Sequence, residues 1–144
     1  MKKVGFIGLG NMGLPMAANL LKAGIEIDAF DISKESLQAA KKLGMNVKES
    51  PNGVLENIDA LITMLPSNDA VKDVFIDGDI LEKLDRKVLV IESSTISPSL
   101  AKTVAEKAVL KEISILDAPV SGGVKGAELG LSLIHISEPT RPLR

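Results

Sequence analysis

The sequence predicts an α/β fold, a doubly wound and mostly parallel sheet with helices on both faces. Three observations predict it. Short apolar runs of strand length alternate with longer stretches of helical period, the sign of strands joined by crossover helices. The 144 residues suit one domain, and 45% hydrophobic with 25% charged residues is the balance of a globular core. A glycine run, Gly8-Leu9-Gly10-Asn11-Met12-Gly13, stands between the first strand and the first helix.

Taken in order, residues 4–9 read as a first buried strand. Over 11–23, Met16, Leu20 and Ala23 recur at helical spacing, as do Ala17 and Leu21. Pro15 falls in the first turn, where a missing N–H is harmless, and Gly24 supplies the stop. Residues 26–30 form a second strand that ends on Asp31. Ser33 then caps a helix carrying Leu37, Ala40 and Lys41, which Gly44 closes. A short strand follows at 45–48. Pro51 opens a short helix to Ile58, 60–64 is the fourth strand, and 69–75 is helical. The fifth strand is 87–91. Ser97 caps, and Pro98 starts, a helix with Leu100, Val104 and Ala108 on one face, and 113–117 is the sixth strand. No repeat exists beyond this β–α alternation, and no low-complexity linker interrupts it.

Composition excludes several functions. With no cysteine, disulfides and thiolate metal sites are impossible, and no metal is expected. A net charge of −2 gives no general attraction to nucleic acid or to an anionic membrane. Three Phe, with no Tyr and no Trp, cannot build a stacking platform for single strands. No stretch reaches the length of a membrane span, and the first strand begins too early for a signal peptide. A cytoplasmic location is the expectation.

The glycine run has the G-x-G-x-x-G spacing in the context that gives it meaning, after a strand and opening a helix. Gly8 permits a tight turn, Gly10 leaves room for a pyrophosphate, and Gly13 lets helix and strand pack closely. Free N–H groups and the positive end of the helix dipole then receive the diphosphate. Asp31 completes the pattern from the end of the second strand, where a carboxylate can accept from ribose hydroxyls. A 2′-phosphate there would meet like charge, which Lys34 only softens, so NAD is expected rather than NADP. The fold is therefore read as Rossmann-type.

Four segments together resemble the β-hydroxyacid dehydrogenase family, and within it the members acting on 3-hydroxyisobutyrate. Phe6 to Gly13, followed by Pro15-Met16-Ala17 and Asn19-Leu20, is similar to the family's opening signature. Met64-Leu65-Pro66 resembles its strand-four motif. Ile91-Glu92-Ser93-Ser94-Thr95-Ile96-Ser97-Pro98 resembles its strand-five segment, with Glu92 where Asp is commoner. Asp117-Ala118-Pro119-Val120-Ser121-Gly122-Gly123, with Gly126-Ala127, is similar to its substrate signature.

The resemblance implies roles. Gly8, Leu9, Gly10, Asn11, Met12, Gly13 and Asp31 would bind NAD, Leu65 and Pro66 would line the cofactor path, and Thr95 would lie near the nicotinamide. Ser121, Gly122 and Gly123 would hold the carboxylate of a small 3-hydroxy acid, each charged hydrogen bond worth roughly 1.5–3 kcal/mol. The family's proton-transferring lysine belongs to a later G-x-x-K-x-x-N helix, so no catalytic residue is expected within this chain. Lys125 reads as a solvated loop lysine. An all-helical second domain, which closes the cleft and supports homo-oligomers in relatives, is also missing, and the chain alone is expected to be inactive. An NADPH-dependent tartronate-semialdehyde or glyoxylate reductase is the nearest alternative, although such enzymes often carry Asn-Arg-Thr where this chain has Asp31-Ile32-Ser33. A 6-phosphogluconate dehydrogenase, whose run usually reads Gly-Leu-Ala, a non-catalytic nucleotide-binding module, and a methyltransferase stand further off.

After Gly130 the character changes. Residues 131–144 hold His135, the one histidine, with two of three Arg and two of seven Pro, and sustain no period. Leu131 to Arg141 reads as the translation of a transposon-end sequencing adaptor. The expected organisation is a nucleotide-binding domain over 1–130 and a non-native tail over 131–144, with natural sequence continuing past Gly130.

Overall fold

Along the central strands, side chains alternate between two apolar clusters, and that alternation sets helices on both faces of the sheet. The computed structural model describes residues 2–118. Six strands, β1 (Lys3–Ile7), β2 (Glu26–Phe30), β3 (Asn46–Val47), β4 (Ala60–Thr63), β5 (Leu89–Glu92) and β6 (Ser114–Asp117), pair in parallel in the order β3-β2-β1-β4-β5-β6.

Val4 and Phe6, Ile27 and Ala29, Ala60 and Ile62, and Leu89 and Ile91 fill one cluster. Met16, Ala17 and Leu20 of α1 (Gly13–Lys22) and Ala40 of α2 (Lys34–Leu43) cover it. Ile7, Leu61 and Val90 fill the other. It is covered by Val71 of α3 (Asn68–Lys72), Ile80 and Leu81 of α4 (Ile80–Lys83), and Val104 and Ala108 of α5 (Pro98–Leu110). Each large buried side chain contributes about 1.5–3 kcal/mol, and a one-residue slip would send a strand's whole set to the wrong face. Register is therefore fixed by packing.

The helix signals act as expected. Ser33 Oγ accepts from the Ser36 amide at 3.2 Å, Gly44 closes α2 at φ 104, and Ser97 Oγ accepts from the Leu100 amide at 3.3 Å. Elsewhere the boundaries move. Asn11 and Met12 belong to the turn, and α1 starts at Gly13. The helix expected over 51–58 is a single 3-10 turn, Pro51–Val54, because Asn57 adopts φ 56 as the chain swings into β4. The helix expected over 69–75 begins at Asn68 and gives way to a π turn, Asp73–Asp77, and α4 follows without having been expected. Strand β5 runs to Glu92, one residue further than the apolar run. Ser121, Gly122, Gly123, Lys125, Gly126, Ala127, His135 and the whole of 131–144 lie outside the described residues.

Candidate functional site

The strand order reverses between β1 and β4, and a crevice opens beyond the carboxyl ends of β1, β2 and β4, where open α/β sheets hold ligands. The glycine turn forms its floor. Gly8 has φ 103, and a Cβ there would overlap the Met64 carbonyl. A Cβ on Gly13 would overlap the Gly8 carbonyl, so α1 can start this close to the turn only without a side chain. Gly10 is different: an added Cβ would meet nothing within 4 Å. The two outer glycines are demanded by the fold, whereas the middle one faces open space. Met12, the N-cap of α1, makes no side-chain capping bond. In the first turn the Leu14 amide is taken by the Gly10 carbonyl at 3.1 Å and Pro15 has no N–H, so the Gly13 amide is the donor left for an anion.

Asp31 joins the second strand to this turn. Its Oδ2 accepts from the Leu9 amide at 2.6 Å and its Oδ1 from the Ser33 amide at 2.8 Å. Each oxygen keeps a further lone pair for a hydroxyl donor. The cavity encloses about 720 Å³, and Gly8, Gly10, Asn11, Met12, Gly13 and Asp31 line it together with Leu65 and Pro66. Leu9 is buried behind the lining and takes part through its amide. Thr95 is exposed and is not among the lining residues. Among the described residues the charged ones that line the cavity are Asp31, Asp73 and Asp79, with no Lys or Arg.

At the ends of β4 and β5 lies a polar cluster that sequence reasoning missed. Thr63 and Glu92 are cross-strand partners in β4 and β5, both buried, and the Thr63 hydroxyl donates to Glu92 Oε2. The Ser94 amide donates to Glu92 Oε1 at 2.7 Å, and Ser94 Oγ accepts from the Leu65 amide at 2.7 Å. Burial pushes the Glu92 carboxyl above the usual range, the bonds from Thr63 and Ser94 oppose this, and the neighbouring Asp117 adds to the rise. Ser93 Oγ is buried with no partner among the described residues. The available signal was Glu92 itself, a carboxylate directly after an apolar strand run. Wall residues such as Asn52, Asp73 and Asp79 gave no signal, since loops far apart in sequence bring them in.

Among the described residues no cluster of His, Cys, Asp and Glu could hold a metal ion, and no helix is long and apolar enough to cross a membrane.

Comparison with known proteins agrees with this geometry. Residues 3–137 match the model of the NAD binding domain of 6-phosphogluconate dehydrogenase. The mitochondrial 3-hydroxyisobutyrate dehydrogenase of Drosophila melanogaster is 44% identical over 127 residues, which are 88% of this chain and 39% of that protein. The NAD-dependent L-serine dehydrogenase of Pseudomonas aeruginosa is 39% identical over 99% of this chain and 50% of its own length. A solved structure of the Mycobacterium tuberculosis 3-hydroxyisobutyrate dehydrogenase with L-serine superposes with a TM-score of 0.83 at 36% identity, over 95% of this chain and 50% of that one. The chain thus spans half or less of the length of these relatives.

Proposed function

The chain belongs to the NAD-binding domains of the β-hydroxyacid dehydrogenase family, and on that premise we propose that it is the cofactor-holding part of an enzyme moving a hydride between NAD and a small 3-hydroxy acid. The observation that carries this reading is the contrast among the three glycines. Gly8 and Gly13 are wedged against backbone, while Gly10 faces open space at the start of α1, where a diphosphate could approach the backbone closely. Asn11 and Met12 would add backbone N–H donors, and Asp31 would accept from the adenosine ribose. Leu65 and Pro66 would lie along the cofactor, with Thr95 towards its nicotinamide end.

The acidic lining favours NAD over NADP, because a 2′-phosphate beside Asp31 would meet like charge, and the described lining adds Asp73 and Asp79 but no Lys or Arg. When bound, NAD supplies the hydride acceptor for the hydroxyl-bearing carbon of the substrate. Ser121, Gly122 and Gly123 would orient the substrate carboxylate through one hydroxyl and two backbone N–H groups, turning binding into alignment. Two relatives support the 3-hydroxy acid class: one is named for 3-hydroxyisobutyrate and one for L-serine, both acids with a hydroxyl on the third carbon. The proton shuttle and the wall that closes the cleft would come from further parts of a longer protein, as would its homo-oligomeric contacts. A cytoplasmic site of action belongs to the same reading, as does the division into a binding unit over 1–130 and an adaptor-derived tail over 131–144.

Calorimetric titration of the 144-residue chain with NAD and with NADP tests the proposal. Saturable NAD binding, weaker NADP binding and negligible turnover of 3-hydroxyisobutyrate are expected. Absence of NAD binding by the folded chain would overturn it.

A further inference from the structure

We propose that Glu92 is a positioning residue whose side chain sets the loops after β4 and β5 against one another, and so holds the Leu65-Pro66 segment at the cavity. The inference rests on the NAD reading for what those loops face.

The Glu92 side chain ties the end of β4 to the turn after β5. Its Oε2 takes the Thr63 hydroxyl, at the last residue of β4. Its Oε1 takes the Ser94 amide at 2.7 Å, fixing the first turn after β5. Ser94 in turn presents Oγ to the Leu65 amide at 2.7 Å, so Leu65 is held through Ser94 by Glu92. The Glu92 carbonyl accepts from the Ala118 amide at 2.9 Å, which binds the end of β6 to the same residue. An apolar side chain would fill this space and keep the backbone bond to Ala118, but it could fix neither the end of β4 nor the turn after β5. Glu92 is only 2% exposed, and Thr63 and Ser93 are fully buried, so water does not compete for the bonds. A buried carboxylate is justified here by the geometry it imposes rather than by stability, since such groups are often replaceable by apolar residues at no loss of stability.

The variants are Glu92→Ala, Glu92→Gln and Ser94→Ala, compared with the unaltered chain. The Gln side chain can accept from the Ser94 amide and donate to Thr63 Oγ1, so it should restore most of the geometry. NAD affinity of the folded chain is expected to fall about tenfold in Glu92→Ala and Ser94→Ala and to stay within about threefold in Glu92→Gln. Amide hydrogen exchange supplies a readout independent of the cofactor: Leu65 and Ser94 should exchange faster in Glu92→Ala, while Ala118, held by the backbone carbonyl of residue 92, and the remaining sheet stay unchanged. Ser94→Ala removes only one hydroxyl, so it serves if Glu92→Ala fails to fold. Equal NAD affinity in all four proteins would overturn the inference while leaving the NAD reading intact. If the unaltered chain binds no NAD, the cofactor reading falls, and unchanged exchange at Leu65 would then overturn the role of Glu92 separately.

Discussion

Asp31 accepts the Leu9 amide at 2.6 Å, which fastens the loop after β2 to the glycine turn after β1. One carboxylate thus has two tasks, to hold a buried N–H of the fold and to offer lone pairs to a sugar. Charge-assisted bonds of this kind are worth about 1.5–3 kcal/mol each. Asp31→Ala is therefore expected to weaken NAD binding by about ten- to a hundredfold and to lower the melting temperature as well, because the Leu9 amide loses its acceptor. Paired with Ile32→Arg, a change of Asp31 to Ser should turn the preference towards NADP, by removing like charge and adding a phosphate ligand. Titration of the double variant with both cofactors checks this, and retained NAD preference would contradict it.

The glycines separate stability from binding. In Gly13→Ala the new methyl overlaps the Gly8 carbonyl, so turn or helix must shift, and a loss of about 2–4 kcal/mol is expected. In Gly10→Ala the methyl meets no protein atom within 4 Å, so stability should hold to about 0.5 kcal/mol. The same methyl occupies the space proposed for the diphosphate, and NAD affinity should collapse. Denaturant titration and calorimetry on the pair measure both quantities. A Gly10→Ala chain that binds NAD normally would remove the diphosphate from this cradle.

Two carboxylates give pH dependences of opposite sign. Burial raises Glu92 above its ordinary value of 4.5, so the folded chain holds this proton more tightly than the unfolded one. Its contribution is fully present below pH 4.5 and is lost as pH rises through the folded value. Asp59 lies the other way: the amides of Lys2 and Lys3, at 2.7 and 3.1 Å, hold it below its ordinary 3.8. Its contribution is present above pH 3.8 and is lost as pH falls through the folded value. In melting curves across pH, Glu92→Gln should gain on the unaltered chain as pH rises towards neutrality. Asp59→Asn should lie below it at neutral pH and converge with it in acid. Parallel curves for either variant would show that its carboxylate is not perturbed as described.

The sheet and the cofactor turn were legible because each follows from local rules. Apolar runs of strand length such as Ala60 to Ile62, set between turn signals, read as buried strands. The glycine spacing ahead of a helical period marks the turn, although the Met64 carbonyl that demands Gly8 lies far along the chain. Acidic Asp31 stood out by its distance from that turn. What was not legible depends on partners distant in sequence. Glu92 shows in the sequence only as a carboxylate where the strand-five segment more often has Asp; its role needs β4 and β5 to pair Thr63 with it, 29 residues apart. The π turn was hidden for the same reason, since the carbonyls of Phe75, Ile76 and Gly78 at its end are satisfied from α5, a helix still to come in the chain.

That last contact makes its own prediction. Lys107 of α5 places Nζ 2.8 Å from the Phe75 carbonyl, 3.1 Å from Ile76 and 3.3 Å from Gly78, with Glu82 Oε1 at 3.2 Å. A π turn ends with carbonyls that its own helix cannot satisfy, and the ammonium answers several at once. Val74, Gly78 and Asp79 line the cavity, so Lys107 anchors its outer wall from behind. Lys107→Met keeps the apolar stem and removes the donor, and should destabilise the chain by about 1–3 kcal/mol. Lys107→Arg should not restore it, because a planar fork cannot converge on carbonyls grouped around one point. Thermal melting separates the three proteins. Full stability in the Met variant would mean that water serves these carbonyls equally well, and that the wall stands without the lysine.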